Sequence, residues 1–398
     1  MRTKHTSHPL SAFPVYSCAF VSSNEFVLGG GGGQSRSGIK NKLRLYRAEN
    51  DKKLELLQEL ELESGEDAPM SMAAHPKNKD FACGVNSSAE NMRSGDNQNC
   101  RLYSVEDHKI KALGSRSTLV LKEAEDDFQK VTVFSPDGIL LAVSGSRDLS
   151  LLYYPSLSPA ALPVHLDKGE IYDASFSAKT LVIATTVNLL VYALPSSDIP
   201  EKSDKATGKQ KQIPPVELCL LKTVDRPNLP GKDAGGSFRS VRYHPLDENT
   251  LYTVINTIPP RTRTKSTPRR AFICKWNAET WEVIRSRKVG DRGLTCFDVS
   301  PNGKLLAFGS ADYTVGILDA QTLAPLLDVL KAHEFPPTTL RFNTTSNLLI
   351  SGSADSTVRI VTIPDTLAAA SWSSWILIIV TLLVIIFAIL AQQMHHHL

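Results

Sequence analysis

A glycine-rich stretch near the amino terminus has the composition best suited to binding chemistry in this sequence. Residues 29–42 read GGGGGQSRSGIKNK and lie between two apolar segments, EFVL and LRLYR. A phosphate-binding P-loop needs GxxxxGK[ST] at the start of a helix, because its backbone amides and lysine surround the phosphates. Here Ile39 stands where that lysine should be, Asn41 follows Lys40 in place of Ser or Thr, and the next segment is predicted to be a strand. The loop is therefore not expected to bind a nucleotide.

The same stretch has two other interpretations. Consecutive glycines leave the backbone free to adopt positive φ and to turn several carbonyl oxygens to one side, where they can ligate a hard monovalent cation. An isoleucine exposed at the tip of such a loop, here Ile39, is suited to enter a pocket of a partner protein. The alternative is a flexible hairpin connection without a function of its own.

Covalent catalysis is not expected from the remaining side chains. The sequence lacks GxSxG, HExxH and paired Cys/His motifs. His75 and His244 each precede a proline in a predicted turn and are interpreted as structural residues. The six cysteines lie far apart without a CxxC pair, and we interpret them as reduced thiols of the core. The protein is predicted to act by binding and not to be an enzyme in the covalent sense.

Composition indicates an ordinary folded protein. The chain has 398 residues, of which 42% are hydrophobic and 21% charged, and this excludes disordered, collagen-like and coiled-coil classes. Lys and Arg number 44 against 41 Asp and Glu, so the formal charge is only +3. The arginine-rich segment Arg261–Arg270 contains no aromatic residues that could stack on bases. A nucleic-acid partner is therefore not expected.

Short apolar runs bounded by Gly, Ser, Asp and Asn recur along residues 1–365 and predict strands joined by turns. Seven similar segments begin at Phe20, Ala74, Phe134, Phe176, Tyr243, Val299 and Phe342. The shortest spacings, 42 and 43 residues, match the roughly 40 to 45 residues of a four-stranded propeller blade. The pattern predicts an all-β, seven-bladed, WD-repeat-like β-propeller. Its last blade lacks one strand, which residues near Leu10–Phe13 are predicted to supply.

Four insertions interrupt the repeats, and function is expected there because loops vary freely on such a scaffold. They cover residues 29–42, 87–98, 197–214 and 259–270. The last two are basic, which is typical of solvated loops and also fits acidic partners or lipid headgroups.

The carboxyl-terminal residues predict one membrane-spanning helix after the propeller. Residues 375–391 form an apolar run of 17 residues whose only polar member is Thr381, and residues 366–374 make a short linker. Such a run spans about 25 Å and approaches the ~30 Å of a hydrocarbon core. No signal peptide is recognised at the amino terminus. We therefore expect a single-pass protein with a cytosolic propeller and a short lumenal tail at residues 392–398.

These features together resemble one known family. The first blade contains the loop GGGG-x4-GI-x-NKL, and Asp67-Ala68-Pro69 precedes the second blade. Together with the seven degenerate blades and the terminal anchor, they resemble the prolactin regulatory element-binding protein family. Its members are endoplasmic-reticulum exchange factors for the Sar-type small GTPase that initiates COPII coats. At residue level the resemblance is close only over residues 29–43 and 67–69. Lys40 differs from the Pro of some members, and the lumenal part is short.

The resemblance implies roles for particular residues. In that family the first-blade loop is ordered by a bound potassium ion and inserts into the GTPase to expel its nucleotide. By position, the GTPase-engaging residues are Gly30, Gly31, Gly32, Gly33, Gly38, Ile39 and Asn41. The residues that support the loop are Asp67 and Pro69, and the backbone carbonyls of Gly30 to Asn41 are the expected potassium ligands.

Two functions therefore stand against each other. The first is a guanine-nucleotide exchange factor for a Sar-type GTPase, located in the endoplasmic-reticulum membrane and starting ER-to-Golgi transport. The second is a membrane-anchored WD-repeat scaffold without exchange activity. Loss or retention of GDP release after changes in the glycine-rich loop distinguishes them.

Overall fold

The computed structural model describes residues 4–34, 37–119, 127–195, 215–231, 233–260, 268–364, 367 and 378–386. The first elements are β1 (Lys4–Pro9), β2 (Val15–Phe20), β3 (Glu25–Gly30), β4 (Lys42–Ala48), β5 (Leu54–Glu61), β6 (Ser71–Ala74), β7 (Asp80–Gly84), α1 (Ala89–Arg93), β8 (Cys100–Glu106) and β9 (Lys109–Arg116). The next are β10 (Val131–Phe134), β11 (Leu140–Ser144), β12 (Asp148–Tyr153), β13 (Ser158–Pro159), β14 (Val164–His165), β15 (Ile171–Phe176), β16 (Thr180–Thr185), β17 (Asn188–Ala193) and β18 (Leu220–Asp225). The last are β19 (Gly235–His244), β20 (Asp247–Ile258), β21 (Ala271–Asn277), β22 (Glu282–Gly290), β23 (Leu294–Val299), β24 (Leu305–Ser310), β25 (Val315–Asp319), β26 (Pro325–Val329), β27 (Pro337–Phe342), β28 (Leu348–Ser353) and β29 (Thr357–Thr362).

These strands form seven antiparallel sheets arranged in a closed ring. In chain order the blades are β2–β5, β6–β9, β10–β14, β15–β18, β19–β22, β23–β26 and β27–β29 with β1. The first strand of each blade contacts the first strand of the next, and β27 contacts β2, so the ring closes. Each first strand ends at or beside one of the seven predicted repeat positions. The predicted seven-bladed propeller is confirmed.

The ring is closed by the amino terminus, but by a different segment from the one predicted. β1 pairs with β29 from Lys4 opposite Thr362 to Pro9 opposite Thr357. The prediction that residues near Leu10–Phe13 form this strand is wrong. Phe13 is instead fully buried between the last and first blades. β1 was missed because its sequence, KHTSHP, is polar and lies at an exposed outer edge, so no apolar alternation marks it.

Blade-to-blade packing holds the ring together. The described residues form seven hydrophobic clusters, one between each pair of neighbouring blades. In one, Phe26 of the first blade and Ile350 of the last belong to the same buried group. Each sheet therefore buries both faces against its neighbours, as a closed propeller requires. Five of the six cysteines lie wholly or partly in this interior, whereas Cys219 is exposed, contrary to the expectation that all six are core thiols.

Strand direction gives the ring two distinct faces. Because each sheet is antiparallel, the connection between its second and third strands lies at the same end as the connection to the next blade. We call this end the upper face and the opposite end the lower face. The glycine-rich loop between β3 and β4 and the insertion between β7 and β8 therefore share the upper face. The chain leaves the last blade at the lower face, where β29 ends.

The predicted membrane helix, residues 375–391, is described only in part. Residues 378–386 are helical. Across the part of the chain that the structure describes, no helix combines the length and apolar character needed to cross a membrane. Most residues of the two basic insertions, 197–214 and 259–270, lie outside the part of the chain that the structure describes, since residues 196–214 and 261–267 are not described.

Candidate functional site

The glycine-rich loop begins where β3 passes tightly over the entrance to the second blade. A Cβ on Gly29 would lie 2.5 Å from Cβ of Pro69, so only glycine permits this approach. The Pro69 carbonyl accepts a hydrogen bond from the Ser17 hydroxyl at 2.7 Å, which fixes the proline against β2. The Gly31 amide donates to the Pro14 carbonyl at 2.9 Å. The stem of the loop is therefore held on both sides by backbone packing.

Asn41 is the clamp of this loop. Its Oδ1 accepts from the Gly33 amide at 2.9 Å, and its Nδ2 donates to the Gly33 carbonyl at 3.0 Å and to the Glu66 carbonyl at 2.6 Å. The side chain is buried. Gly31 has φ +143°, and a Cβ there would lie 2.2 Å from Asn41 Oδ1. The absence of a side chain at Gly31 leaves room for the Asn41 amide, which forms hydrogen bonds to the Gly33 and Glu66 backbone. These bonds satisfy polar groups that are buried and need partners.

Ile39 is half-buried, whereas the sequence predicts an isoleucine exposed at the tip. Its carbonyl accepts from the Gly32 amide at 3.3 Å, and its amide donates to the Ser37 hydroxyl at 3.3 Å. These bonds fold the second half of the loop back over the first. Ser37 and Gly38 are the exposed neighbours at this point. The loop therefore presents its isoleucine from a folded, internally bonded turn.

Asp67 lies at the base of the loop. Its Oδ1 accepts from the Ala68 amide at 2.7 Å, and the Gln34 backbone amide also bonds the carboxylate. Burial raises the pKa of Asp67 above its ordinary value, although these amide bonds oppose the shift. Among the described residues no Lys, Arg or His side chain forms an ion pair with this carboxylate. Asp67 thus places carboxyl oxygens beside the backbone of the loop.

The donor set around this loop fits the cation that the resemblance implies. The backbone carbonyls of residues 30–34 and 37–41 and the Asp67 carboxylate are all oxygen ligands, which hard cations prefer. A Cβ on Gly33 would lie 3.2 Å from Asp67 Oδ1, so the glycine keeps the carboxylate and the loop backbone close. The described residues contain no cluster of three His, Cys, Asp or Glu side chains suited to a metal.

Two contacts at this site were not predicted from the sequence. Glu66 is paired with Arg101 in two hydrogen bonds, one of them Arg101 Nη1 to Glu66 Oε2 at 3.0 Å, and this pair fixes the carbonyl that Asn41 contacts. The insertion at residues 87–98 also reaches the loop, since Gln34 Nε2 donates to the Ser87 carbonyl at 3.5 Å. The Asn-rich composition of residues 86–99 was the signal available for the second contact.

His75 and His244 have structural hydrogen-bond partners, in agreement with their interpretation from the sequence. The His75 ring is hydrogen-bonded to the Gly138 carbonyl at 3.2 Å, and the His244 ring to the Gly303 carbonyl at 3.1 Å. In both cases the carbonyl belongs to the following blade. Burial lowers the pKa of His333 to about 4, so this side chain is neutral at physiological pH.

Comparison with known proteins agrees with the propeller fold. The family described as WD domain, G-beta repeat, matches residues 283–319 and 324–361. A protein of Candida glabrata named guanine nucleotide-exchange factor SEC12 is 22% identical over 94% of this chain and 76% of its own length. The SEC12-like protein 2 of Arabidopsis thaliana is 26% identical over 83% of this chain and 74% of its own length. The chain is thus similar over most of its length to WD-repeat proteins of the Sec12 type. This confirms the resemblance inferred from the sequence.

Structural comparison supports the fold alone. Raptor from Chaetomium thermophilum covers 91% of this chain and 29% of its own, with a TM-score of 0.61 and 10% sequence identity. Among Sec12-type relatives, a C. glabrata protein named putative guanine nucleotide-exchange factor SED4 is 23% identical over 91% of this chain and 32% of its own length. The similarity thus extends well beyond the two matched repeats and includes the blades that carry the loop.

Proposed function

We propose that this chain is a guanine-nucleotide exchange factor that promotes GDP release from a Sar-type small GTPase at the endoplasmic reticulum, the step that starts COPII assembly and ER-to-Golgi transport. Relatives over most of its length are named exchange factors. The observation that carries the proposal is the glycine-rich loop, which Asn41 clamps in one conformation on the upper face. An ordered loop loses little conformational entropy when it binds.

The proposed mechanism is differential binding. An exchange factor accelerates release only if it binds the nucleotide-free GTPase more tightly than the GDP-bound form. Ile39 supplies an apolar group that contacts the partner once the nucleotide has left, and the clamped backbone around Gly33 presents it without further ordering. The chain breaks no covalent bond in this scheme.

A potassium ion is proposed as part of the loop. The carbonyls of residues 30 to 41 and the Asp67 carboxylate would hold it, and its positive charge would offset the carbonyl dipoles gathered there. In the protein alone, Asn41 already bonds the Gly33 backbone and Asp67 already bonds the Gln34 amide. The ion would therefore add rigidity to a loop already shaped by the protein.

GDP release tests the proposal directly. The purified full-length chain should increase the rate at which a Sar-type GTPase releases a fluorescent GDP analogue by tenfold or more, an order of magnitude that corresponds to about 1.4 kcal/mol of barrier. A GTPase from another family serves as the control for selectivity. Binding to the Sar-type GTPase without accelerated release would favour the scaffold function and contradict this proposal.

We also propose that residues 375–391 anchor the chain in the endoplasmic-reticulum membrane with the propeller in the cytosol. The chain leaves the propeller at the lower face, so the glycine-rich loop would point away from the bilayer. Protease added to intact microsomes without detergent should digest the propeller, because a cytosolic domain is accessible from outside the vesicle. Full protection of the propeller until detergent is added would contradict this topology.

A further inference from the structure

We propose that the insertion in the second blade, residues 87–98, is a second contact surface for the GTPase that the glycine-rich loop engages, and that it contributes affinity and selectivity rather than the opening of the nucleotide site. The inference rests on the proposed exchange function. We call these residues the blade-two platform.

Buried amide groups hold the platform in place. Asn97 is fully buried, its Oδ1 accepts from the Ser87 amide at 2.9 Å, and its Nδ2 donates to Asn86 Oδ1 at 3.2 Å. The Ser87 hydroxyl accepts from the Gln98 amide at 3.0 Å. The two ends of the insertion are therefore joined to each other below its exposed part. Satisfied buried networks of this kind specify one conformation.

Helix α1, which this network of asparagines positions, has no residue in the hydrophobic core. α1 has no buried residue, and the Ser88 hydroxyl caps it by accepting from the Asn91 amide at 3.3 Å. A helix of five residues is not stable alone in water. Its order therefore comes mainly from the buried asparagines, since none of its residues is buried in the core. A rigid exposed element supported in this way is suited to recognition.

The platform is continuous with the glycine-rich loop. Besides the Gln34 contact to the Ser87 carbonyl, the Asp67 amide donates to the Asn86 carbonyl at 3.0 Å. A Cβ on Gly65 would lie 3.3 Å from Cβ of Ser88. Both insertions connect second and third strands of adjacent blades, so both lie on the upper face. A globular partner that receives Ile39 must therefore approach the platform as well.

The exposed chemistry of the platform is polar and charged. Glu90, Arg93 and Asp96 are exposed, and among the described residues none of them forms an ion pair. The expected partner surface is a charged region of the GTPase beside the segment that the loop enters. Charged groups at the rim of an interface mainly affect the association rate and the choice of partner. They have less effect on what happens at the centre of the interface.

A charge exchange on the platform tests this inference. The double variant Glu90→Arg, Arg93→Glu keeps the net charge and removes no buried group. The control is Glu248→Lys, Lys304→Glu, which exchanges two exposed charges on the lower face. GDP release is measured against increasing concentrations of each full-length chain. We expect the platform variant to need roughly fivefold more chain for half-maximal acceleration, with an unchanged maximal rate and an effect that shrinks at high salt.

The outcomes separate this inference from the proposed function. If the unaltered chain accelerates release and the platform variant has the same half-maximal concentration, the second contact is refuted. A reduced maximal rate at an unchanged half-maximal concentration would also refute it, since the platform would then act in the opening step. If the unaltered chain does not accelerate release, the exchange function fails. In that case, the affinity of each variant for the nucleotide-free GTPase is measured directly. Equal affinities of the platform variant and the control variant would overturn the proposed contact.

Discussion

The Asn41→Ala chain is expected to accelerate GDP release about thirtyfold less than the unaltered chain. The substitution removes the acceptor of the Gly33 amide and the donor to the Gly33 and Glu66 carbonyls. Each lost hydrogen bond costs about 0.5–1.5 kcal/mol, so the closed loop loses roughly 2–3 kcal/mol relative to open conformations. Because only the closed loop is competent to bind, the apparent affinity falls with its population.

The control for this prediction is Asn249→Ala, an exposed asparagine on the lower face. Fluorescence-monitored GDP release gives the rate for each chain, and a thermal melt shows whether the propeller remains folded. The Asn41 variant should melt close to the unaltered chain, because its bonds reach Gly33 in the loop and Glu66 in the connection before β6, and none of them involves a strand of the propeller. Unchanged release with Asn41→Ala would show that the clamp is irrelevant to exchange and would favour the scaffold function.

Repeats and loop composition were readable from the sequence because each is local. An apolar residue at the end of the first strand recurs at Phe20, Phe134 and Phe342, where it is buried between blades. The glycine-rich loop was recognisable because its composition is unlike that of any strand. In both cases the residues that define the feature are neighbours in the chain.

The features that escaped prediction depend on distant partners. β1 is polar and acquires its structure by pairing with β29 at the other end of the propeller. Asn41 is one asparagine among many until the fold brings the Glu66 carbonyl to it. The buried Asn97 likewise reads as a surface residue, since asparagine is usually exposed. Hydrogen-bonded polar groups carry no periodic signal, so their partners must be found in the structure.

Ile39→Ala should reduce the acceleration of GDP release about thirtyfold while leaving the propeller intact. Loss of an apolar anchor at an interface typically costs roughly 2 kcal/mol or more, and the full cost appears in the rate if the contact is complete in the transition state. The backbone bonds of Ile39 to Gly32 and Ser37 do not involve the removed atoms, so the turn should persist. The matched control is Ile139→Ala, an isoleucine 38% exposed in a lower-face turn of the third blade.

Exchanging potassium for lithium should weaken the unaltered chain but add little to the Ile39→Ala chain. Both changes act on the same loop, so their effects should not add as those of independent sites do. Amide hydrogen exchange of residues 30–41 supplies a readout that does not depend on the GTPase, because a loop that binds potassium should exchange faster in lithium. Equal exchange in the two salts would remove the ion from the proposal and leave Asn41 as the source of order. Wild-type release by Ile39→Ala with an unchanged melt would instead show that the loop is only a connection between β3 and β4.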